Sequence, residues 1–445
     1  MSICIIGVGP YPTEAGAVVT APAIRLRLFT EPFINKKYEV SVALLEDTAR
    51  AKVPIAGAAR AMAFSPDEIL NPALVKERLG LDHIRAVFGV GSLMPCTAAA
   101  RLAQELDCAC WIDLNGDPLT ELHAAQLRQG GNPDVVARDH IWKLLREALL
   151  RGDAFSTVSG PQRYALLGQL GLLGRYGNDW LVSKRLFEIP NGVPKAWSTD
   201  NSTPAFPEIL KESGMREGAR YVFFGGSWNV WMDDATMGKA LTAALDADPD
   251  LYFVACGIPT GPAGEQVRSS IMKAVSAHRE RGHVVELPPQ HLDAENALLA
   301  HAGTCLSLDR SIPESELGAR NRLLPMVRWG ARPVISVEAE VETLLVAEGL
   351  ASGIHQGNWD RAAKEILLAC GRSKDERKDD RARGREWLET VVFDRVAEPA
   401  LQWVANGTAR WPACPCDGLL DRWAALPADP EKLFPEKKKK NWLFG

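Results

Sequence analysis

The stretch FFGGSWNVWMDD, residues 223–234, begins as a buried strand and continues with two glycines, two tryptophans and two aspartates. Gly225 and Gly226 allow the backbone to approach a ligand closely, because they have no Cβ and tolerate unusual φ values. We expect Asp233 or Asp234 to cap the helix that follows. A strand, a glycine turn and a helix N-terminus form an anion site, although an ordinary β–α turn without a ligand fits these residues equally well.

Outward from this stretch, short apolar runs alternate with helical patterns, which is typical of parallel α/β layers. The strand candidates of the first half are 2–8, 38–45, 84–90, 108–114 and 154–159, and the stretch 186–194 after them ends in turn residues. Those of the second half are 220–226, 251–257, 283–287, 304–309 and 332–336. Residues 197–208 are poor in apolar side chains and rich in Ser, Thr and Pro, which indicates a linker. The pattern predicts an α/β fold with two Rossmann-like parallel-sheet domains facing across a cleft.

The proposed division has three parts: an N-terminal Rossmann-like domain at 1–200, a second one at 201–375 and a helical extension at 376–445. We expect the extension to begin as one long helix, first charged and then amphipathic, packed outside both domains. Its last residues, KKKKNWLFG, are interpreted either as a solvated tail or as a contact with an anionic membrane surface. Since open parallel sheets bind ligands beyond the carboxyl ends of their strands, the cleft is the expected site.

Composition narrows the class of protein. The 445 residues are 46% hydrophobic and 24% charged with a net charge of -5, which argues against a nucleic-acid binder. The C-x-C pairs at Cys108 and Cys110 and at Cys414 and Cys416 lack the second half of a zinc motif, so we predict no metal site. Free thiols in apolar runs indicate a cytoplasmic protein, and no apolar run reaches the roughly 18 residues of a membrane span.

Glycine-rich turns follow several predicted strands. GVGP at 7–10 and GVGS at 89–92 do not complete G-x-G-x-x-G, and no acidic residue stands convincingly at the end of a second strand to bind a ribose. An NAD(P)-dependent oxidoreductase or epimerase therefore remains an alternative that depends mainly on GVGP.

A second informative stretch is SLDRSIPESELGARNRLLPMVRWGARPVIS, residues 307–336. Glu314 and Glu316 precede a predicted helix whose early turns hold Arg320 and Arg322. Such carboxylates are usually caps and such arginines are usually solvated. Here the segment follows a strand and begins on the cleft side. An acid that binds ribose or sugar hydroxyls, beside guanidinium groups that neutralise a diphosphate, suits a nucleotide sugar.

These two stretches resemble the donor-binding domain of GT-B glycosyltransferases, specifically bacterial enzymes of glycosyltransferase family 4. Those relatives have a Gly-Gly turn before an aromatic, Asp-rich helix start, and a Glu before an Arg-x-Arg helix that ends in a Gly-x-Pro-Val turn. The matching positions are Gly225, Gly226, Trp231, Asp233, Thr236, Glu316, Arg320, Arg322, Gly330 and Pro333. The resemblance implies transfer of a sugar from a nucleotide sugar with retention of configuration, without a cofactor or an obligatory metal.

The resemblance also implies roles for individual residues. We expect catalytic contributions from Asp113, Arg320, Arg322 and Glu316, with Asp113 near the acceptor hydroxyl or the transferred sugar and Glu121 behind it. A solvent-facing carboxylate is the alternative for Asp113. The expected donor-binding residues are Gly225, Gly226, Ser227, Trp231, Asp233, Glu314 and Asn321. Those on the acceptor side are Gly9, Asn115, Asp117 and Gln162, within a half that resembles the family more loosely, mainly at 20–29, 111–124 and 154–168.

Two departures from the family pattern keep a further alternative open. Pro325 stands where many members have a second Glu, on the helix that faces the nucleotide ribose, and the acceptor-domain His has no clear counterpart. A catalytically silent protein that binds nucleotides or glycans is therefore retained as an alternative. For an active enzyme the expected acceptor is a glycan, a lipid-linked glycan or a surface-polymer precursor. No pattern indicates the base, the sugar or an oligomeric state.

Overall fold

The computed structural model describes residues 1–14, 17–131, 134–175, 185–200 and 202–411. Within them, strands form two sheets in which every neighbouring pair is parallel. The first sheet holds β1 (Ser2–Val8), β2 (Glu39–Leu45), β3 (Arg60–Phe64), β4 (Ala86–Val90), β5 (Ala109–Leu114), β6 (Ala154–Thr157) and β7 (Leu186–Glu188). The second holds β8 (Arg220–Trp228), β9 (Leu251–Pro259), β10 (Val284–Glu286), β11 (Thr304–Ser307), β12 (Val334–Ser336) and β13 (Ser352–Ile354).

Both sheets have the strand order of a Rossmann-like fold. The first runs β3-β2-β1-β4-β5-β6-β7, and the second runs β10-β9-β8-β11-β12-β13. The order reverses between β1 and β4 and again between β8 and β11, and such switch points are where open α/β sheets bind ligands. The expected fold class, with two Rossmann-like parallel sheets, is confirmed.

Helices cover the sheets and connect their strands. Those of the first half are α1 (Ala21–Asn35), α2 (Pro66–Ile69), α3 (Pro72–Leu79), α4 (Leu93–Glu105), α5 (Pro118–Arg128), α6 (Val135–Arg151), α7 (Gly160–Leu172), α8 (Ala196–Thr199) and α9 (Glu208–Glu212). Those of the second half are α10 (Asp234–Ala247), α11 (Gly261–Ala274), α12 (Ser276–Glu280), α13 (Leu292–His301), α14 (Pro313–Leu317), α15 (Leu323–Arg328), α16 (Glu340–Ala347) and α17 (Trp359–Cys370). The helices α18 (Lys374–Leu388), α19 (Phe393–Val396) and α20 (Glu398–Ala405) follow.

The glycine pair does not form the expected turn. Strand β8 continues through both glycines to Trp228, in unbroken register with β9 as far as Pro259. Gly226 has a φ of 90°, which glycine adopts at little cost. The turn therefore begins only after Trp228. Asp233 caps α10 as expected by accepting a hydrogen bond from the Thr236 amide.

Strands β3, β7 and β13 were not predicted from the sequence. Strand β3 is short and rich in alanine, and β13 has only three residues, one of them glycine. Both lie at sheet edges, and β3 is also hydrogen-bonded on its other side to the chain at Arg50 and Val53. Pairing with β2 and β12 therefore decides their conformation, because their own propensity for β structure is weak.

The C-terminal extension is not one long helix. Helix α18 ends at Leu388, a short 3-10 helix covers Glu389–Val391, and Val392 is extended and bridges to Val193. Helices α19 and α20 then pack against the core of the first sheet. The chain thus returns from the second sheet to the first. The KKKKNWLFG tail and the Cys414–Cys416 pair lie outside the described residues.

Candidate active-site cleft

A cleft of about 1050 Å³, solvent at its mouth included, lies between the two sheets. One wall comes from the carboxyl end of β8, the start of α13 and the segment between α14 and α15. The other comes from the N-terminus of α1 and from the 192–194 segment. The cleft therefore adjoins the switch point between β8 and β11, as the fold predicts.

Three residues that line this cleft each carry a hydrogen-bond donor that has no partner in the described part of the chain. The donors are the indole Nε1 of Trp231, the amide Nδ2 of Asn321 and the guanidinium Nη1 of Arg322, and all three atoms are buried. Each of the three residues lines the cleft. A buried donor without a partner is costly, so such groups call for an explanation. Because all three are donors, they match a ligand rich in acceptor oxygens, although the protein covers the three atoms and their side chains must turn to meet it.

The two arginines of the R-x-R motif lie in different environments. The sequence placed both within a helix, but α14 ends before Gly318 and α15 begins only at Leu323. Arg322 donates one hydrogen bond, 2.7 Å from Nη2 to the Ser227 carbonyl, and its guanidinium lies over the Phe224 ring. Burial lowers the pKa of this guanidinium, and among the described residues no carboxylate is paired with it.

Arg320, by contrast, is committed to internal ion pairs. Its Nε binds Asp309, and its two terminal nitrogens bind the oxygens of Glu314 at 3.1 and 3.0 Å. Burial alone would lower the pKa of Arg320, but the two carboxylates outweigh burial and raise it. The guanidinium also lies over the Trp231 ring, 5.0 Å from its centroid. This arrangement fits a residue that positions Trp231 better than one that carries a free charge for a ligand.

Some of the other residues predicted to bind the donor line the cleft, and the rest do not. Gly226, Ser227, Trp231 and Asn321 line the cleft, whereas Gly225, Asp233, Glu314 and Glu316 do not. Glu314 is buried in its pair with Arg320, and Glu316 is exposed.

Asp113 lies inside the first sheet and does not line the cleft. Its side chain is fully buried, with Arg25 Nε and Nη2 at 2.9 and 2.6 Å from its two oxygens. The Ser156 hydroxyl donates to the same carboxylate at 2.6 Å, and Trp111 donates to Ser156. These contacts fit neither a solvent-facing carboxylate nor a contact to an acceptor, because both oxygens have internal partners.

The predicted acceptor-side residues that make side-chain hydrogen bonds stabilise neighbouring elements of the first half. Asp117 caps α5 and accepts a hydrogen bond from Gln169, and Gln162 bridges the Val158 amide and the Leu114 carbonyl. Gly9 forms a cis peptide bond with Pro10, and a Cβ there would collide with Glu46. Asn115 is half-buried. None of the four predicted positions, Gly9, Asn115, Asp117 and Gln162, lines the cleft described above.

Glu121 lies between the two halves of the molecule. Its helix, α5, packs against α14. Glu121 is exposed to solvent. The neighbouring protein nevertheless displaces water from around its carboxyl group, which raises the pKa of that group to about 8, with the negative charges of Glu314 and Asp117 adding to the shift.

Sequence reasoning missed Glu295. This residue lies in the first turn of α13 and lines the cleft. Burial raises its pKa to about 7, and the positive charge of Arg322 opposes that shift. The available signal was its position: α13 follows β10, so the first turn of the helix lies on the ligand side of the sheet.

In the part of the chain that the structure describes, no three His, Cys, Asp or Glu side chains cluster at metal-binding distance. Over the same residues, no helix combines the length and the apolar character that a membrane crossing requires.

The sequence matches no protein-family model and no curated protein sequence. Solved structures do match the fold. Sucrose-phosphate synthase from Thermosynechococcus elongatus aligns with a TM-score of 0.64 and 13% identity, over 91% of this chain and 98% of that one. A UDP-forming trehalose-phosphate synthase from Burkholderia xenovorans, in complex with glucose-6-phosphate, aligns with a TM-score of 0.64 and 11% identity, over 91% and 99%. HepE from Anabaena, in complex with UDP, aligns with a TM-score of 0.62 and 11% identity, over 91% and 100%.

These neighbours have the GT-B fold, and at such low identity the likeness establishes the fold alone. The chain therefore has two Rossmann-like sheets facing across a cleft, with C-terminal helices.

Proposed function

We propose that the chain is a glycosyltransferase that uses a nucleotide sugar as its donor. The observation that carries this proposal is that Trp231, Asn321 and Arg322, which line the cleft beyond β8, each have a donor without a partner among the described residues. A diphosphate offers several acceptor oxygens and negative charge, which these groups would bind together. The likeness in fold to sucrose-phosphate synthase and UDP-forming trehalose-phosphate synthase supports this choice over other anions.

In this proposal the protein acts mainly by stabilising the departing diphosphate. Negative charge develops on that group as the bond to the sugar breaks, and donors in a partly desolvated cleft stabilise it. Arg322 provides the positive charge, and its hydrogen bond to the Ser227 carbonyl holds the guanidinium beside β8. The opposite wall, with Thr20 and Arg27 of α1, would position the acceptor hydroxyl.

Further features are proposed on the family resemblance. They are membership of glycosyltransferase family 4, transfer of a hexosyl group with retention of configuration, and action without a metal or other cofactor. The proposed acceptor is a glycan, a lipid-linked glycan or a surface-polymer precursor. The proposed location is the cytoplasm, with peripheral contact at the inner face of the membrane.

A panel of ligands tests the proposal. The melting temperature is measured with UDP, GDP, ADP or dTDP present, and with NAD for comparison. At least one of the nucleoside diphosphates should raise it. Arg322→Ala should weaken binding of that nucleotide by about tenfold or more, because a charge-assisted contact is lost. Its melting temperature should stay near that of the wild type. Arg361→Ala, which removes an exposed arginine of the same half, is the matched control.

The neighbouring arginine should behave differently. Arg320→Ala leaves the carboxylates of Asp309 and Glu314 buried without their partner, which typically costs about 3–5 kcal/mol. We expect a lowered melting temperature as its main effect. Stabilisation by NAD alone, or wild-type affinity in Arg322→Ala, would contradict the proposal.

A catalytically silent binding protein is separated from an enzyme by turnover. The enzyme releases nucleoside diphosphate from its donor when an acceptor is present, whereas the silent protein binds the donor and releases nothing. The oxidoreductase alternative has less support, because Glu46, the acid that directly follows β2, lies against Gly9 and is paired with Arg50.

A further inference from the structure

The carboxylate of Glu295 lies directly over the bare backbone of Gly225. A Cβ at that position would collide with Glu295 Oε1, so the glycine is what makes room for the acid. Strand β8 continues into Gly226, whose Cα faces the guanidinium of Arg322. Glu295 of α13 and Arg322, from the segment between α14 and α15, thus lie above consecutive glycines of β8, and both residues line the same cleft.

The acceptor capacity of this carboxylate is unfilled. Among the described residues, no hydrogen-bond donor and no cation within ion-pair distance engages the Glu295 oxygens, although Arg322 attracts them at longer range. Trp231, Asn321 and Arg322 line the same cleft, and their Nε1, Nδ2 and Nη1 atoms are donors without a partner among the described residues. A ligand that satisfies both sets must present acceptor oxygens next to hydroxyl donors.

A nucleoside diphosphate has this combination, because its ribose hydroxyls lie next to its phosphates. We propose that Glu295 binds the ribose hydroxyls of the nucleotide and makes the site selective for ribonucleotides over 2′-deoxyribonucleotides. The inference rests on the proposed function. It assigns the ribose contact to the start of α13, on the same wall as Pro325, which has no side-chain group able to accept a hydrogen bond.

Two other roles for Glu295 lead to different results. If it only balances the charge of Arg322, its removal frees the guanidinium and strengthens binding of ribo- and deoxyribonucleotides equally. If it binds hydroxyls of the transferred sugar, its removal weakens binding of the nucleotide sugar and leaves the free diphosphate unaffected. A ribose contact alone predicts a change in the ratio between the two free nucleotides.

The experiment measures the affinities of UDP and 2′-deoxy-UDP by calorimetry, or of the corresponding pair for whichever base the ligand panel selects. The wild type should bind the ribonucleotide at least about tenfold more tightly, the usual value of a hydrogen bond to a charged group. In Glu295→Ala the two affinities should become equal, mainly because UDP binds less tightly. Glu295→Gln, which keeps an acceptor oxygen, should retain part of the selectivity.

Asp293→Ala is the matched control, because it removes an exposed acid from the first turn of the same helix outside the cleft. Its selectivity should equal that of the wild type. A wild type that does not discriminate, or an unchanged ratio in Glu295→Ala, overturns the inference and leaves the proposed function standing. Absence of binding by every nucleoside diphosphate overturns the proposed function itself.

Discussion

Glu342 is a buried carboxylate that the sequence did not single out. Its oxygens accept hydrogen bonds from the Glu338 and Ala339 amides, each at 3.0 Å, and from the Ser336 hydroxyl at 2.9 Å. Burial raises its pKa to about 7, with Asp309 adding to the shift and Arg320 opposing it. The folded protein therefore holds a proton that the unfolded chain has already lost above about pH 4.5.

This shift predicts how stability depends on pH. The contribution of Glu342 is fully present below about pH 4.5 and is lost as the pH rises through about 7, so the wild-type melting temperature should fall over that interval. Glu342→Gln does not titrate and should show a smaller fall between pH 5 and 7. Glu348→Gln, at the exposed end of the same helix, is the control and should follow the wild type. Equal slopes in all three proteins would refute the assignment.

At the scale of single residues, the sequence identified the right residue types more often than the right partners. Arg320 and Arg322 look equivalent in the motif, yet Asp309 and Glu314 neutralise only the first. Asp113 looks like a strand-end acid, yet Arg25, which is 88 positions away along the chain, binds both of its oxygens. Such pairings depend on which helix packs over which strand, and no local pattern records that.

At the scale of elements, Arg128 links the two halves across the cleft. It is the last residue of α5, and its guanidinium binds the carbonyls of Val230 and Met232 in the loop after β8. Its Nη1 also forms an ion pair with Asp234 at 2.8 Å. One side chain from the first half therefore holds the loop that carries Trp231.

Loosening that loop should impair the donor site. Arg128→Ala should weaken nucleoside diphosphate binding by about tenfold, because Trp231 would no longer be held in place before the ligand arrives. Arg128→Lys keeps the charge near Asp234 without the forked geometry, so an intermediate affinity is expected. Affinity is measured by calorimetry, with the exposed Arg138→Ala as the control. Wild-type affinity in Arg128→Ala would show that the contact does not act on the site.

The sequence predicted strands correctly where consecutive residues are buried. The apolar runs that became β1, β5 and β8 are fully or almost fully buried, so their sequence alone identifies them as strands. The prediction missed β3, β7 and β13. It also ended β8 too early, because glycines usually interrupt strands. Pairing with β9 continues through both glycines, and this ladder could not be inferred from the residues of β8 alone.

At the scale of the whole molecule, the C-terminal helices stabilise the first sheet. Trp403 of α20 contacts Trp111 with ring centroids 5.3 Å apart and Phe88 at 5.9 Å. The chain reaches this position only after it has completed the second sheet. We retain the boundaries 1–200, 201–375 and 376–445 as a proposal, in which the third part joins the first.

Trp403→Ala should therefore destabilise the first half of the molecule. Truncating a buried tryptophan costs about 3–5 kcal/mol, and the lost contacts are with β4 and β5. Hydrogen exchange should show faster exchange at the amides of those two strands and little change in β8 and β9. Trp359→Ala removes a partly exposed tryptophan of α17 and should leave both sheets protected. Equal loss of protection in both sheets would contradict the assignment.

The sequence by itself determined the two parallel sheets and the cleft where a ligand is expected, because alternating buried runs and amphipathic helices are local patterns. Only the tertiary structure decided which arginine is free, that Asp113 is an internal partner of Arg25, and that Glu295 belongs to the cleft. The physical reason is that charge pairing and desolvation depend on residues distant in the chain, whereas the period of burial is set by each element itself.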